Sequence, residues 1–274
     1  MLKKLIKHEW RATWKVPTAL IGLNLFCAVA AGATFALPIW ESEWIGLPIS
    51  GMMVIMLFYF AMIGSSLGIS IYMAVRYYKN MFTDEGYLTH TLPVTARQLL
   101  LTKVINMSVW SLLSMAAVLL GIFIFIVMLI GFLAPDGVTL AMLAEEIIVT
   151  LNEPAMRGWQ LCAVIILFFL FISAFSGALM VIGSVNIGQL VRKHRILGAV
   201  GAYFGIYTVV QLLSTIVMFP MMFSVVLTAD NMENVSIFDI YNPLYGSMAV
   251  IFLAVSIALY FISEYLLRKK LELE

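Results

Sequence analysis

The sequence predicts an all-α polytopic membrane protein with six transmembrane helices, cytoplasmic N and C termini, and an amphipathic interfacial helix at the start. Three observations carry that expectation. Of the 274 residues, 63% are hydrophobic and only 11% charged, with a mean hydropathy of +1.03; a water-facing domain carries about 25% charged residues. Six long apolar runs follow one another along the chain. Lysine and arginine are then distributed very unevenly between the two sides of those runs.

Residues 1–15 form the first expected unit and 16–274 a single transmembrane domain. Within the first, Leu2, Leu5, Ile6, Trp10 and Trp14 fall near one helical face, and Lys3, Lys4, Lys7, Arg11 and Lys15 cover the rest. That pattern suits a helix lying on the anionic inner leaflet with its cations among lipid headgroups. Pro17 marks the expected turn into the first span.

The six runs are Val16 to Leu37, Gly51 to Val75, Met107 to Phe132, Leu161 to Ile187, Ile196 to Phe223 and Tyr245 to Leu267. Each can cross about 30 Å of hydrocarbon as a helix. None contains Lys, Arg, Asp or Glu before its final turn, where Glu264 is the exception. The first run continues past Ala31-Gly32-Ala33 to Leu37, which sets it apart from a cleaved leader. Cys27 and Cys162 lie in apolar runs with no Cys-x-x-Cys or histidine spacing, so both read as buried, inert thiols.

Cytoplasmic flanks retain positive charge, and this sets the orientation. With both termini inside, fifteen of the sixteen Lys and Arg are cytoplasmic and only Arg157 is outside. Nine acids, Glu41, Glu43, Asp136, Glu145, Glu146, Glu153, Asp230, Glu233 and Asp239, fall on the outer side. The net charge of +1 therefore conceals a strong dipolar arrangement. Arg192, Lys193, His194 and Arg195 make a second basic turn, explained by the same rule, with an ATPase or lipid contact as a secondary reading.

Between spans two and three, residues 76–103 read RYYKNMFTDEGYLTHTLPVTARQLLLTK. Thr83 can cap a short helix whose first turn holds Asp84 and Glu85, where the helix dipole favours acids, and Pro93 stops it. Thr95-Ala96-Arg97-Gln98 is a capping box for the next span, with Val94 and Leu99 spaced as a hydrophobic staple. The expected result is a compact helical elbow.

The phrase YYKNMFTDEGYLTHTLPVTARQLLLTK, the basic KLIKHEWRATWK start and the six-span layout together resemble type 2 permease subunits of ATP-binding cassette transporters from Gram-positive bacteria. The resemblance implies a half-transporter in the bacterial cell membrane that pairs with a second permease, the same or a homologous chain. It also implies that ATP and magnesium are bound by separate cytoplasmic ATPase subunits, with no cofactor on this chain. A coupling helix maps onto Phe82 to His90, with Phe82, Thr83, Asp84, Glu85, Tyr87, Leu88 and His90 as the residues facing the ATPase. Short re-entrant elements before the last span would map onto Val235 to Tyr245.

Residue chemistry agrees with a membrane machine that is not itself an enzyme. There is no GxxxxGK[ST] phosphate loop. No span carries an Asp, Glu or Lys near its middle, as ion-coupled carriers commonly do. All three histidines, His8, His90 and His194, lie in cytoplasmic segments, so the serines of Ser173 to Gly177 have no base at membrane depth. Serines within spans read as helix-to-helix hydrogen bonds, and Gly64-Ser65-Ser66-Leu67-Gly68 as a close-packing face. Gln211, near the middle of span five, should face another helix or a cavity, and Pro220 should kink that span. With Asn24, Gln211 is a candidate for the substrate path. The expected function is outward movement of a peptide, lipid or drug, driven by a partner ATPase, in contact with membrane lipids and with no nucleic acid. Two other classes stay open: a secondary transporter, and a non-transporting immunity or sensor subunit.

Overall fold

The computed structural model describes residues 2–40, 42–83, 86, 94–133, 140–153, 156–191, 193–228 and 236–269, and every regular element among them is helical. The helices are α1 (Leu2–Thr13), α2 (Lys15–Ala36), α3 (Gly46–Phe82), α4 (Ala96–Leu133), α5 (Leu140–Leu151), α6 (Trp159–Gly188), α7 (Arg195–Thr228) and α8 (Ile237–Lys269). All but α1 and α5 are long and apolar enough to cross a membrane, which makes six candidate spans. Successive spans run in alternate directions if each crosses, so one end of the bundle collects the basic helix termini and the other the acidic loops.

Two spans overrun the expected boundaries at the basic end. α3 continues from Val75 to Phe82, and α4 begins at Ala96 instead of Met107. At 37 and 38 residues each is about 55 Å long, against about 30 Å of hydrocarbon. The cause is a core stripe that does not stop where hydropathy falls: Ile69, Met73, Tyr77 and Met81, four residues apart, are all buried. Most of the expected elbow is therefore the tips of two spans, joined by 83–95. At the other junction the chain breaks at Trp14, before Pro17, which sits in the first turn of α2 where its missing N–H costs no helical bond.

α6 is the most buried span and packs on α8, α7, α4 and α3; α2 packs on α3 and α4, and α1 lies on α4. The main core lies toward the basic end, where Tyr77 and Met81 of α3, Leu100 and Val104 of α4, Leu179 and Ile182 of α6 and Leu259 of α8 meet. A smaller cluster, Cys27, Ala28 and Ala31 of α2 with Phe58 of α3, occupies the other half. There Phe35 meets Trp40, Phe125 and Phe132 at ring distances of 5.6, 5.7 and 5.6 Å. Cys27 and Cys162 are buried and free, in keeping with their apolar surroundings.

Glu145 and Glu146 lie on α5, a short helix between the third and fourth expected runs, with both acids exposed. Gly158 then holds a φ of +89° before α6, a conformation that L side chains rarely adopt. α8 runs unbroken through Pro243, so residues 237–245, expected as a short re-entrant element, are continuous with the helix of the last span. Its start explains this: the Ser236 hydroxyl accepts the Phe238 N–H (3.3 Å), while the Asp239 carboxylate accepts the Ser236 N–H (3.2 Å).

Candidate functional site: the basic end of the bundle

At the basic end, helices that are remote in sequence are tied by polar side chains in three places. The first tie holds α1. Glu9, one acid on an otherwise basic helix, accepts a bond from Lys103 of α4 (2.7 Å) and lies 3.6 Å from Arg76 of α3. One turn on, Thr13 is fully buried; its hydroxyl donates to the Glu9 carbonyl (3.0 Å) and accepts from Asn106 (3.3 Å) and Trp110 Nε1 (3.2 Å). Trp10 stacks on Trp110 with ring centroids 4.4 Å apart. A cavity of about 10 Å³ lies among Glu9, Arg76, Tyr77, Lys103 and Asn106, room for one water among groups able to hold it.

The amphipathic pattern of α1 sorts accordingly. Leu2, Leu5, Ile6, Glu9, Trp10 and Thr13 are at least partly buried, while Lys3, Lys4, Lys7, Arg11 and Lys15 are exposed. Trp14, expected on the apolar face, is 47% exposed at the α1–α2 junction. What α1 buries is thus its acid and its threonine along with its aliphatics.

The second tie is a 2.7 Å hydrogen bond from the Tyr77 hydroxyl to Asn186 Oδ1, joining α3 to α6. Both side chains are buried, where a neutral bond is stronger than in water and a broken one costs more. The third tie joins α4 to α8. Glu264, buried in the last turns of α8, accepts from Arg97 Nε and has Arg268 Nη1 at 3.7 Å, both arginines being well exposed. The Thr95 capping box is in place at the start of α4: Gln98 N–H donates to Thr95 Oγ1 (3.3 Å) and Thr95 N–H to Gln98 Oε1 (3.4 Å).

Of the residues mapped to the coupling helix, Asp84, Glu85, Tyr87, Leu88 and His90 lie outside the described residues. Phe82 is buried inside the bundle, edge-on to Tyr77 at 6.0 Å, so its own chain already covers it. Thr83 donates its hydroxyl to the Lys79 carbonyl at the end of α3 (2.7 Å); the acids of the first turn it was expected to cap lie outside the described residues.

Asn24 and Gln211 are not alike. Asn24 is fully buried on α2 and donates to the Ala117 carbonyl of α4 (3.3 Å), a tie between two spans. Gln211 is exposed on α7, the least buried of the six spans, on the surface of the single chain. Serines 65, 70, 173, 184 and 256 donate to carbonyls three or four residues back in their own helices, at 2.6 to 3.1 Å, instead of across to another helix. Gly68 is a packing glycine, since a Cβ there would stand 3.2 Å from Leu20 of α2, whereas Gly64 faces open space. Among the described residues no three His, Cys, Asp or Glu come together as a metal site.

Sequence reading missed Glu9, Arg76, Lys103, Asn106 and Trp110 as a group. Two signals were available: the lone acid of α1, and Glu264 as the lone acid within a span. Compared with family models, curated proteins and solved structures, the chain matches none, and what it does has to be argued from its own bundle.

Proposed function

We propose that this chain is the membrane-spanning permease subunit of an ATP-binding cassette exporter in the bacterial cell membrane, with both termini cytoplasmic and α1 on the inner leaflet. Separate ATPase subunits supply ATP hydrolysis, and the coupling segment is 83–95. One observation carries the proposal: this segment joins the tips of α3 and α4 at the end of the bundle where both helices are tied to α1 through Glu9, Arg76 and Lys103. A push on such a segment moves two spans and the surface helix together.

Pairing with a second permease is supported by α7. An exposed amide at mid-span is costly against hydrocarbon, and Gln211 is accompanied on exposed positions by Gly201, Gly205 and Thr208, side chains small or polar enough to admit another helix closely. The substrate, a peptide, lipid or drug, then moves along the seam beside Gln211, with Asn24 holding the wall.

The test is Tyr87→Ala in the purified complex. It should lower transport per ATP hydrolysed while the six spans still insert. Normal complex yield together with normal coupling would remove 83–95 from the transmission path. Ion-gradient-driven transport in vesicles lacking any ATPase would instead establish a secondary transporter, and ATP use without cargo movement an immunity or sensor subunit.

A further inference from the structure

The third tie at the basic end is built asymmetrically. Two arginines converge on one carboxylate, leaving the group with an excess positive charge. Arg97 spends its Nε on Glu264 and Arg268 approaches with Nη1 alone, yet each guanidinium carries five N–H donors in a fixed fork suited to phosphate. Glu264 is only 6% exposed, while the two arginines are 63% and 65% exposed. The acid therefore holds the cations in place and they face outward.

They border an open surface groove lined by Arg97, Arg268, Glu264, Phe261 and Tyr265, a shallow site shaped for a group that stays partly in contact with its surroundings. The position within the spans matters as much as the charge. Arg268 follows directly on the last apolar run, which ends at Leu267, so it stands where that span leaves hydrocarbon, and Arg97 reaches the same carboxylate from the overrunning tip of α4. From the groove toward mid-span, Phe261, Ile257 and Leu253 of α8 follow at four-residue spacing, 59, 50 and 44% exposed. On a helix that spacing is one continuous stripe.

We infer that the Arg97–Arg268 groove binds the phosphate headgroup of an anionic phospholipid, with an acyl chain lying along Phe261, Ile257 and Leu253. The capped start of α4 adds its positive dipole end beside Arg97. A soluble phosphate would use the arginines and leave the apolar stripe unused; a lipid uses both. The inference rests on the six-span reading and not on ATPase coupling.

The chain, purified in detergent, is incubated with equal amounts of phosphatidylglycerol and phosphatidylcholine bearing the same acyl chains, and the lipid retained is counted by native mass spectrometry. Phosphatidylglycerol should exceed phosphatidylcholine by about tenfold. Arg268→Gln, which leaves the Arg97–Glu264 bond intact, should bring the two lipids to near parity. Arg268→Lys should keep part of the preference, and Arg157→Gln at the far end should keep all of it. The inference is overturned if the wild-type chain shows no headgroup preference, or if Arg268→Gln retains it. It is equally overturned if millimolar inorganic phosphate displaces the lipid completely, which would make free phosphate the ligand, or if removing residues 270–274, which carry Glu272 and Glu274, raises lipid retention severalfold, which would make the acidic tail the occupant. A failure of the six-span reading would look different, as a chain that stays in solution without detergent.

Discussion

The two ends of this bundle are held together by different physics. At the basic end the spans are joined by long-range polar side chains: Glu9 to Lys103, Thr13 to Trp110, Tyr77 to Asn186, Arg97 to Glu264. Around Phe35 and Phe58 the contacts among the described residues are aromatic, and the nearby polar bonds are short-range, such as Trp40 Nε1 to the Thr34 carbonyl (3.0 Å) or the Thr34 hydroxyl to the Ala31 carbonyl (2.7 Å); a long-range polar bond at that end, from the Ser236 hydroxyl to the Arg157 carbonyl (2.6 Å), lies apart from the cluster, between α8 and the turn before α6. Ring-on-ring contacts tolerate sliding because their energy varies slowly with offset. Buried charge pairs do not, since separation strands a charge in low dielectric. The helices around α1 are thus joined by contacts that resist sliding, and the Phe35 cluster of α2, α3 and α4 by contacts that tolerate it.

Removing the anchor should have the largest effect. Glu9→Ala takes the carboxylate away from Lys103 and Arg76, both largely covered, and should cost about 3 kcal/mol. Thermal unfolding in detergent reads it, and Glu9→Ala combined with Lys103→Met should recover a good part. A loss under about 0.5 kcal/mol, the range of ordinary surface changes, would break the contrast between the two ends. Next comes the α6–α7 turn at the same end, where a Cβ on Gly188 would collide with the Ala199 backbone. Gly188→Ala should cost about 2 kcal/mol by overpacking, whereas Gly64→Ala, facing open space, should be neutral or slightly stabilising by thermal shift. Equal effects at the two glycines would remove the steric part of the comparison.

Smaller still is the cap. Thr95→Ala deletes the side-chain half of the capping box and should cost about 1 kcal/mol, with Thr95→Ser close to wild type. The smallest effect is expected at the aromatic end: Trp40→Phe keeps a ring against Phe35 and loses one partly buried hydrogen bond, about 0.5 to 1 kcal/mol. A Trp40 effect as large as that of Glu9 would mean the far end is fastened just as firmly.

What could be read ahead of the structure follows interaction range. The six spans were legible because length and hydropathy are local, and so was the Thr95–Gln98 box, whose partners are three residues apart. The overrun of α3 was not: Arg76, Tyr77 and Lys79 look like a loop by composition, and only the burial of Tyr77 and Met81 against α6 and α4 makes them helix. α5 escaped because twelve residues with two adjacent glutamates fall below the length of a span. The ties escaped for the plainest reason, since no local pattern says that Glu9 meets Lys103. Gln211 shows a related gap: its polarity demanded a partner, and within this chain it lies on the outside.

The distance along the chain between those tied residues also orders biogenesis. Glu9 meets Lys103 across 94 positions and Thr13 meets Trp110 across 97, so apart from Arg76 at the end of the second span the polar partners of α1 arrive only with the third. Until then the first helix lacks most of the contacts that hold it in the folded chain. Translation that stalls between spans two and three would leave α1 undocked, and a protease added to such stalled chains should cut within the first fifteen residues, at sites that are shielded once α4 has arrived.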